Sequence, residues 1–285
     1  MDRSKYILTL SCQDRLGIIA KITSFLANIG AFIVELSQYG DPSTGRFFLR
    51  CVFQYEGTSL AEAEFEERFE RETRDLAPTW KLHDLSYRPR VLLLVSKEGH
   101  CLNDLLHRTA SQLLPIDIRA IASNHTTLGH MAAWHDIPFH HLPVEPGKKE
   151  AQEAQILKLI REEQIDLVVL ARYMQILSRG LTSHLAGRAI NIHHSFLPSF
   201  KGARPYHQAF ERGVKLIGAT AHYVSDELDE GPIIEQEVIR VDHAATPTDL
   251  VHLGKDIECQ VLARALKYHI EERVFINGHR TVIFK

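Results

Sequence analysis

The chain has 285 residues, of which 45% are hydrophobic and 24% are charged, and its formal net charge is −3. These values indicate a soluble globular protein of one or two domains, and the slightly acidic balance argues against a nucleic-acid partner. No apolar run is long enough to span a bilayer and the amino terminus lacks the features of a signal peptide, so we expect a cytoplasmic protein without a membrane partner.

The first 87 residues predict a small α/β unit. Strand and helix patterns follow one another in the order strand, helix, strand, strand, helix, strand, over Tyr6–Leu10, Ile18–Leu26, Phe32–Gln38, Arg46–Gln54, Leu60–Arg74 and Trp80–Leu85. The second helix, with its mixture of Glu and Arg, is expected at the solvated surface. This βαββαβ order is ferredoxin-like.

The residues around Asp14, Gly17 and Gly30 resemble those of an ACT domain, a regulatory module that binds amino acids and associates with copies of itself. The resemblance implies an ACT domain over residues 1–87, with Asp14 and Gly17 in an effector-binding loop. Gly17 would let the backbone approach a small ligand closely. It also implies a homo-oligomer, a dimer or a tetramer. The alternative is a domain that serves only as a dimer interface.

A second domain is predicted over residues 91–285, after the short linker Arg88–Arg90. Its strand patterns are Val91–Val95, Ile116–Ile121, Phe139–Leu142 and Ile165–Leu170, separated by helical patterns, notably Glu150–Glu163. The continuous apolar run of the first strand is typical of a buried parallel strand. Alternating strands and helices predict a doubly wound, mostly parallel sheet.

The most informative residues follow another short predicted strand, Ala189–His193. Alternate side chains of a strand share a face, so Asn191 and His193 point the same way at its carboxyl end, where open α/β sheets bind ligands. A further strand, Leu216–Ser225, leads into a loop that carries Asp229. Each residue alone has a structural explanation in a turn or a loop hydrogen bond. Together, an amide, an imidazole and a carboxylate at one crevice suit attack on a carbonyl carbon.

The pattern N-I-H-x-S-x-L-P-S-F-x-G, followed by H-x-V-x-x-x-x-D-x-G-P, resembles the folate-dependent formyltransferase family. The resemblance covers about residues 90 to 285. It implies that Asn191, His193 and Asp229 act on the formyl group of 10-formyltetrahydrofolate. Asn191 and a charged His193 would donate to the oxyanion, and Asp229 would keep His193 charged and take a proton. His194 faces the other side of the strand and is expected to be a supporting residue.

The same resemblance implies a folate pocket. Its expected lining is Met174, Gln175, Ile176, Leu177, Val224 and Leu228. Ordinary core packing is the alternative role of these side chains. Lys201 or Arg204 could meet the glutamate tail of the folate, with no preference between the two.

The formyl acceptor distinguishes the members of this family. The loop Ser96–Leu102 keeps one glycine and carries Glu98, whereas glycinamide ribonucleotide formyltransferase binds a phosphate there with a loop rich in Gly, Ser and Asn. Methionyl-tRNA formyltransferase has a further domain, for which this chain stops too soon. The fusion to an ACT domain resembles the hydrolase of the family. We therefore predict hydrolysis of 10-formyltetrahydrofolate to formate and tetrahydrofolate. The alternatives are formyl transfer to a small amine and a non-catalytic, amino-acid-sensing folate-binding protein.

The 17 histidines and four cysteines raise the question of a metal site. No pair or cluster has the spacing of a known zinc motif, and adjacent histidines on a strand diverge. The single, scattered cysteines fit a reducing compartment. We predict no metal and no cofactor, with the folate as substrate.

Overall fold

The computed structural model describes residues 5–55, 60–197 and 205–285. A four-stranded antiparallel sheet forms the first part of the chain. Its elements are β1 (Lys5–Gln13), α1 (Ile18–Asn28), β2 (Ala31–Asp41), β3 (Arg46–Tyr55), α2 (Glu62–Thr73), a 3-10 turn (Arg74–Leu76) and β4 (Thr79–Asp84). The described strands lie in the order β2-β3-β1-β4. This is the βαββαβ order of a ferredoxin-like unit, as the sequence predicts.

Both helices of this unit pack one apolar face on the sheet. In α1, Ile18, Ile22 and Phe25 recur at helical spacing and are buried. In α2, Phe65 and Phe69 are buried one turn apart, and the ring of Phe69 lies 5.2 Å from that of Phe25. The expectation that α2 is a solvated surface helix therefore holds for only one of its faces.

The first compact unit also contains residues 271–275 and 282–285, which the sequence analysis assigned to the second domain over residues 91–285. One physical reason is the guanidinium of Arg50, which is only 3% exposed. Its Nε donates a hydrogen bond of 2.9 Å to the carbonyl oxygen of Glu271. A buried charge needs such partners, and the returning chain supplies one.

A larger sheet organises the second unit, residues 88–270 and 276–281. Its elements are β5 (Arg90–Val95), α3 (His100–Ala110), β6 (Asp117–Ser123), α4 (Gly129–Trp134), β7 (Phe139–His141), α5 (Lys149–Glu162), β8 (Leu167–Leu170), α6 (Arg179–His184), β9 (Ala189–His193), α7 (Pro205–Glu211), β10 (Leu216–Tyr223), β11 (Ile233–Arg240) and α8 (Pro247–Ile270). A short hairpin, β12 (Val274–Asn277) and β13 (Arg280–Ile283), follows.

Within the described ranges, seven strands of this sheet lie in the order β11-β10-β9-β8-β5-β6-β7. The pairs from β9 to β7 are parallel, and β10 is antiparallel to both of its neighbours. The central strand β8 is buried along its whole length, as a strand covered by helices on both faces must be. The predicted mostly parallel α/β sheet is confirmed.

The sequence led us to expect that the carboxyl ends of β9 and β10 meet at one crevice, but the direction of β10 keeps these two ends apart. Because β10 runs antiparallel to β9, His222 pairs with Asn191, and β10 ends beside the start of β9. The loop after β10 must therefore turn back to reach the carboxyl end of β9. Gly231 permits this turn, since a Cβ there would lie only 1.7 Å from the carbonyl oxygen of Tyr223.

The long helix α8 was not predicted from the sequence. Thr246 caps its start reciprocally with Asp249, and Pro247 occupies the first helical position. The buried face of α8 is apolar except for Glu258, which is 1% exposed. Among the described residues, no helix combines the length and the low charge needed to cross a membrane.

Candidate active site

A cavity of about 340 Å³ lies in the second unit at the end of β9. Its walls come from the segments 170–177 and 191–194 and from the loop 222–229. This volume falls in the range of sites that bind small organic molecules. The structure brings together at this cavity all of the predicted catalytic and folate-binding residues: Asn191, His193, Asp229, Met174, Gln175, Ile176, Leu177, Val224 and Leu228.

The three predicted catalytic side chains form a hydrogen-bonded group with His222. Asp229 Oδ1 lies 3.2 Å from His193 Nδ1 and 3.7 Å from His222 Nε2. Asn191 Nδ2 lies 3.2 Å from His222 Nε2. The other ring nitrogen of His193, Nε2, is buried and makes no hydrogen bond with any residue that the structure describes. It is therefore free to bond an atom that enters the cavity.

Asp229 is held as a carboxylate. Burial raises its pKa, but the hydrogen bonds and positive charges of His193 and His222 outweigh burial and hold the pKa of Asp229 well below its usual range. Its backbone has a φ of 58°, in the left-handed region that Asp tolerates better than most residues. The loop thus presents an ionised carboxylate to two imidazoles.

His222 is a residue whose role the sequence analysis missed, although it opens the second family motif. Its Nδ1 lies 2.9 Å from the carbonyl oxygen of Tyr223, so this nitrogen carries a hydrogen and donates it. The ring is almost fully buried. His222 therefore fixes the positions of both Asn191 and Asp229 from the neighbouring strand.

His194 also lines the cavity, so it does not simply face away from it. Burial, together with the positive charges of Arg172 and His193, lowers the pKa of His194 to about 4. At neutral pH the ring is uncharged. His194 can thus offer a hydrogen bond in the site without adding charge.

We expect the change of His194 to glutamine to flatten the pH dependence of stability. The folded-state pKa lies near 4 and the unfolded value near 6.5, so the unfolded chain binds more protons between them. The contribution of His194 to the free energy of unfolding is fully present above about pH 6.5 and is lost as the pH falls towards 4. Urea unfolding from pH 7.5 to 4.5 measures it, with H279Q at an exposed histidine as control. An identical pH slope for H194Q and wild type would show that His194 is charged in the folded protein.

The segment of residues 171–177 is anchored at its middle and just after its end. Ser96 Oγ accepts a hydrogen bond of 3.0 Å from the backbone N–H of Met174, and Glu153 Oε1 accepts one of 2.8 Å from that of Ser178. Met174 and Ile176 are more than half exposed, as is Leu228 across the cavity. Apolar side chains left exposed beside a cavity are typical of a ligand-binding surface.

Two of the predicted folate-binding residues have a second role. Leu177 and Val224 pack against the buried core of the sheet and its helices while they also line the cavity. Core packing is therefore confirmed for Leu177 and Val224, and their role in folate binding stays a prediction. Lys201 and Arg204, considered for the glutamate tail, lie outside the described residues.

Glu98 presents less negative charge than the sequence analysis assumed. Its Oε2 lies 2.6 Å from Lys255 Nζ, and this hydrogen bond holds the pKa of Glu98 below its usual range. The pairing partly neutralises the loop that precedes α3. The single glycine of this loop consequently disfavours a phosphate ligand more than its charge does.

A second polar group missed by the sequence analysis lies behind the cavity wall. Glu258 accepts hydrogen bonds of 2.7 Å from both Tyr206 Oη and His100 Nε2, and Arg172 Nε lies 3.3 Å from it. We call these four residues the Glu258 cluster. The only sequence signal for it is an acidic residue on the apolar face of α8.

In the described part of the chain, His100, Cys101 and Glu258 place three potential metal ligands within 4.8 Å of one another. A hydrogen bond with Cys259, together with burial, raises the pKa of the Cys101 thiol well above its usual value. A thiol that stays protonated is a poor ligand, and the carboxylate already binds three other groups. This donor set does not suit a metal ion.

In the first unit, the two residues predicted to bind an effector lie before α1. Gly17 has a φ of 90°, which favours glycine, and the space where its Cβ would stand has no heavy atom within 4 Å. The Asp14 carboxylate lies against Gly40, where a Cβ would come within 2.4 Å of its Oδ2. The loop is therefore open at Gly17, and the exposed Asp14 carboxylate lies beside the backbone of Gly40.

Comparison with known proteins agrees with this site. Residues 89–266 match the family model described as formyl transferase. A curated relative from Corynebacterium sp. (strain P-1), named formyltetrahydrofolate deformylase, is 48% identical over 284 residues, which cover 100% of this chain and 99% of the relative.

Two solved structures of proteins with the same name superpose on nearly the whole chain. The structure from Burkholderia mallei is 50% identical, with a TM-score of 0.94, and the match covers 99% of this chain and 100% of that one. The structure from Pseudomonas syringae pv. tomato is 46% identical, with a TM-score of 0.96, and covers 100% and 96%. The chain belongs to the formyl transferase family and, within it, to the formyltetrahydrofolate deformylases.

Proposed function

We propose that this protein hydrolyses 10-formyltetrahydrofolate to formate and tetrahydrofolate, with Asn191, His193 and Asp229 acting on the formyl group. The observation that carries the proposal is the contact of Asp229 with His193, at 3.2 Å, in a cavity of the size of a small-molecule site. Full-length similarity to formyltetrahydrofolate deformylases supports the same reaction. The reaction is a hydrolysis without redox change, and we propose that it needs no cofactor.

His193 supplies one donor to the oxyanion. Its Nδ1 donates to the Asp229 carboxylate, which fixes the orientation of the ring. Nε2, which has no hydrogen-bond partner among the described residues, then donates to the formyl oxygen. This hydrogen bond strengthens as negative charge develops on the oxygen, so it lowers the barrier more than it strengthens substrate binding.

Asn191 supplies the second donor from the same face of β9. In the orientation given by the structure, its Nδ2 lies 3.2 Å from His222 Nε2, the nitrogen that also faces Asp229. A half-turn of the amide turns Nδ2 into the cavity and Oδ1 towards His222. His222 Nε2 then holds Oδ1 in place, while Nδ1 keeps its hydrogen bond with the Tyr223 carbonyl. His222 is thus a positioning residue for the amide.

The water oxygen bonds to the formyl carbon, and the C=O electron pair moves onto the formyl oxygen. One water proton passes by way of Asp229 to N10, whose bond to carbon breaks as the C=O bond re-forms. The other proton leaves when formic acid ionises to formate. Asp229 is a weak base, because its pKa is lowered, but bond formation makes the proton on the attacking oxygen strongly acidic.

The folate would bind along the other walls of the cavity. We propose that the exposed apolar side chains of Met174, Ile176 and Leu228 cover the pteridine ring. Leu177 and Val224 would form the floor, since they connect the cavity to the core. Gln175, on the same anchored segment, would contribute polar contacts to the ring.

The acceptor test uses purified protein with 10-formyltetrahydrofolate alone, and then with glycinamide ribonucleotide added. We expect formate and tetrahydrofolate in equal amounts, and no formylated amine in either case. The reason is that the loop before α3 offers a single glycine, so it lacks the run of backbone N–H groups that binds a phosphate. Tetrahydrofolate that appears only when the amine is present would support the transferase instead.

We also infer that the first unit is an ACT-type module that binds an amino acid at Asp14 and Gly17 and joins copies of this chain into a dimer or tetramer. The βαββαβ order and the open left-handed glycine before α1 support this assignment. An ordered loop that leaves space around its backbone can accept a small ligand. Location in the cytoplasm, without membrane or nucleic-acid partners, fits this function.

Glycine and methionine are the first effectors to test. At about 100 times its Kd, a ligand that binds the folded state should stabilise the protein by about 2.7 kcal/mol. Thermal unfolding and turnover measure this, with sedimentation giving the oligomeric state, and G17V should lose the response but keep basal turnover. If no amino acid of a full panel changes either readout, the module is an interface only.

A further inference from the structure

The guanidinium of Arg172 is a buried positive charge in the cavity wall. Arg172 follows β8 and has a φ of 64°, in the left-handed region that favours glycine. Non-glycine residues held in such a conformation cluster at functional sites. The side chain is 13% exposed, and it lines the cavity together with Asn191, His193 and Asp229. The chain therefore accepts backbone strain to hold a cation beside the proposed reaction centre.

The Glu258 cluster fixes this cation from behind. Arg172 Nε lies 3.3 Å from Glu258 Oε2, while Tyr206 and His100 donate to the same carboxylate. Gly254, one turn earlier on α8, makes room for Tyr206, since a Cβ there would lie 2.1 Å from the tyrosine ring. Glu258 is thus held from three sides, and it orients the guanidinium rather than moving with it.

Part of the hydrogen-bonding capacity of Arg172 is unused. Its Nε and Nη1 are buried and form no hydrogen bond with any residue in the described ranges, because the approach of Nε to Glu258 has the distance of an ion pair but not the hydrogen-bond geometry. Buried donors normally have a partner. Arg172 also lines the cavity, so an acceptor held there can supply such a partner.

The proposed reaction creates such an acceptor. Asn191 and His193 account for the formyl oxygen, but the oxygen that comes from water becomes the second oxygen of a carboxylate. The ionised Asp229 repels negative charge on that oxygen. A guanidinium pairs with a carboxylate through two parallel hydrogen bonds, which suits the formate that forms.

We propose that Arg172 binds the water-derived oxygen of the intermediate and then the carboxylate of formate, with Glu258 as the residue that positions it. The proposal rests on the hydrolytic function above. It makes Arg172 a substrate-binding residue for the part of the reaction that releases formate. The folate itself would be bound by other residues.

Sodium formate is the probe that tests this role. Its inhibition constant against hydrolysis would be measured for wild type, R172M and R172K, with R179M as a matched control that removes an exposed arginine near the same cavity. In R172M we expect formate inhibition to weaken at least about tenfold and kcat to fall at least about tenfold, while KM changes less than about threefold. R172K keeps the positive charge but cannot form two parallel hydrogen bonds, so we expect its formate inhibition constant and kcat to lie between those of wild type and R172M. R179M should match wild type.

Wild-type formate inhibition in R172M, or a raised KM with unchanged kcat, would overturn the proposal. If R172M does not fold because Glu258 is left unpaired, the double variant R172M/E258Q removes both charges and should show the same loss. E258Q alone should weaken formate inhibition several-fold without changing KM. Titration of ¹³C-labelled formate into folate-free protein, followed by NMR, tests the anion site without relying on turnover. If wild type releases no formate from 10-formyltetrahydrofolate, that result contradicts only the hydrolytic function.

Discussion

Replacing His193 with alanine, or Asp229 with asparagine, is expected to lower kcat by at least about two orders of magnitude. Alanine removes the Nε2–H that donates to the oxyanion. Asparagine leaves the loop intact but replaces the carboxylate that lies 3.2 Å from His193 and takes the proton from water. Folate affinity should change much less than the rate, because both groups act mainly on the transition state. Single-turnover rates together with equilibrium folate binding separate the two effects.

The matched control for Asp229 is E230Q, which removes one acidic charge from the next, exposed position of the same loop. Its kcat should stay within about threefold of wild type, because an exposed charge is screened by solvent. Near-normal turnover in D229N or in H193A would contradict the assigned roles. An equal loss in E230Q would mean that the net charge of the loop matters, rather than the contact with His193.

Replacing Asn191 with aspartate is the second change with a large expected effect. It substitutes a carboxylate for the amide donor, on the same face of β9 as His193, and negative charge there would repel the oxyanion. The loss of one such donor costs about a hundred- to a thousand-fold in rate, so kcat should fall by at least that factor. N191A, which removes the donor without adding charge, should lie at the lower end of this range. Steady-state kinetics with 10-formyltetrahydrofolate provides the measurement.

The role of His222 gives this prediction a control. H222F removes the group that holds Asn191 but leaves the amide in place, so a smaller loss, of at least about tenfold, is expected. If N191A and H222F lower kcat separately but the double variant loses no more than N191A alone, the two residues act as one unit. Unchanged kcat in N191D would exclude Asn191 as an oxyanion donor.

Local pattern predicted the part of the site that lies within one strand. The predicted strand Ala189–His193 has the observed bounds of β9, and the two-residue period of a strand correctly placed Asn191 and His193 on the cavity. Residues 174–177 were also correctly predicted to lie at the cavity, because their sequence matches the family pattern. These features depend on neighbours in sequence, which is why the sequence reveals them.

The remaining features depend on contacts between distant residues. The antiparallel direction of β10 depends on the path of the chain between β9 and β10. The pattern of residues within the strand could not reveal it. His222 reaches Asn191 only through the register of that antiparallel pair. Glu258 meets Arg172 across 86 positions of the chain, by the packing of α8 beside the cavity. A lone acidic residue in a helix gives no sign of such a partner.

The central claim is that water is the formyl acceptor, and oxygen-isotope labelling tests it most directly. The protein would turn over 10-formyltetrahydrofolate in H₂¹⁸O without any amine, and the formate would be analysed by mass spectrometry. Because the formyl group keeps its own oxygen and gains one from water, we predict formate with a single ¹⁸O atom and an equal amount of tetrahydrofolate. Protein that releases no labelled formate under these conditions, but releases tetrahydrofolate when an amine is supplied, would contradict the account.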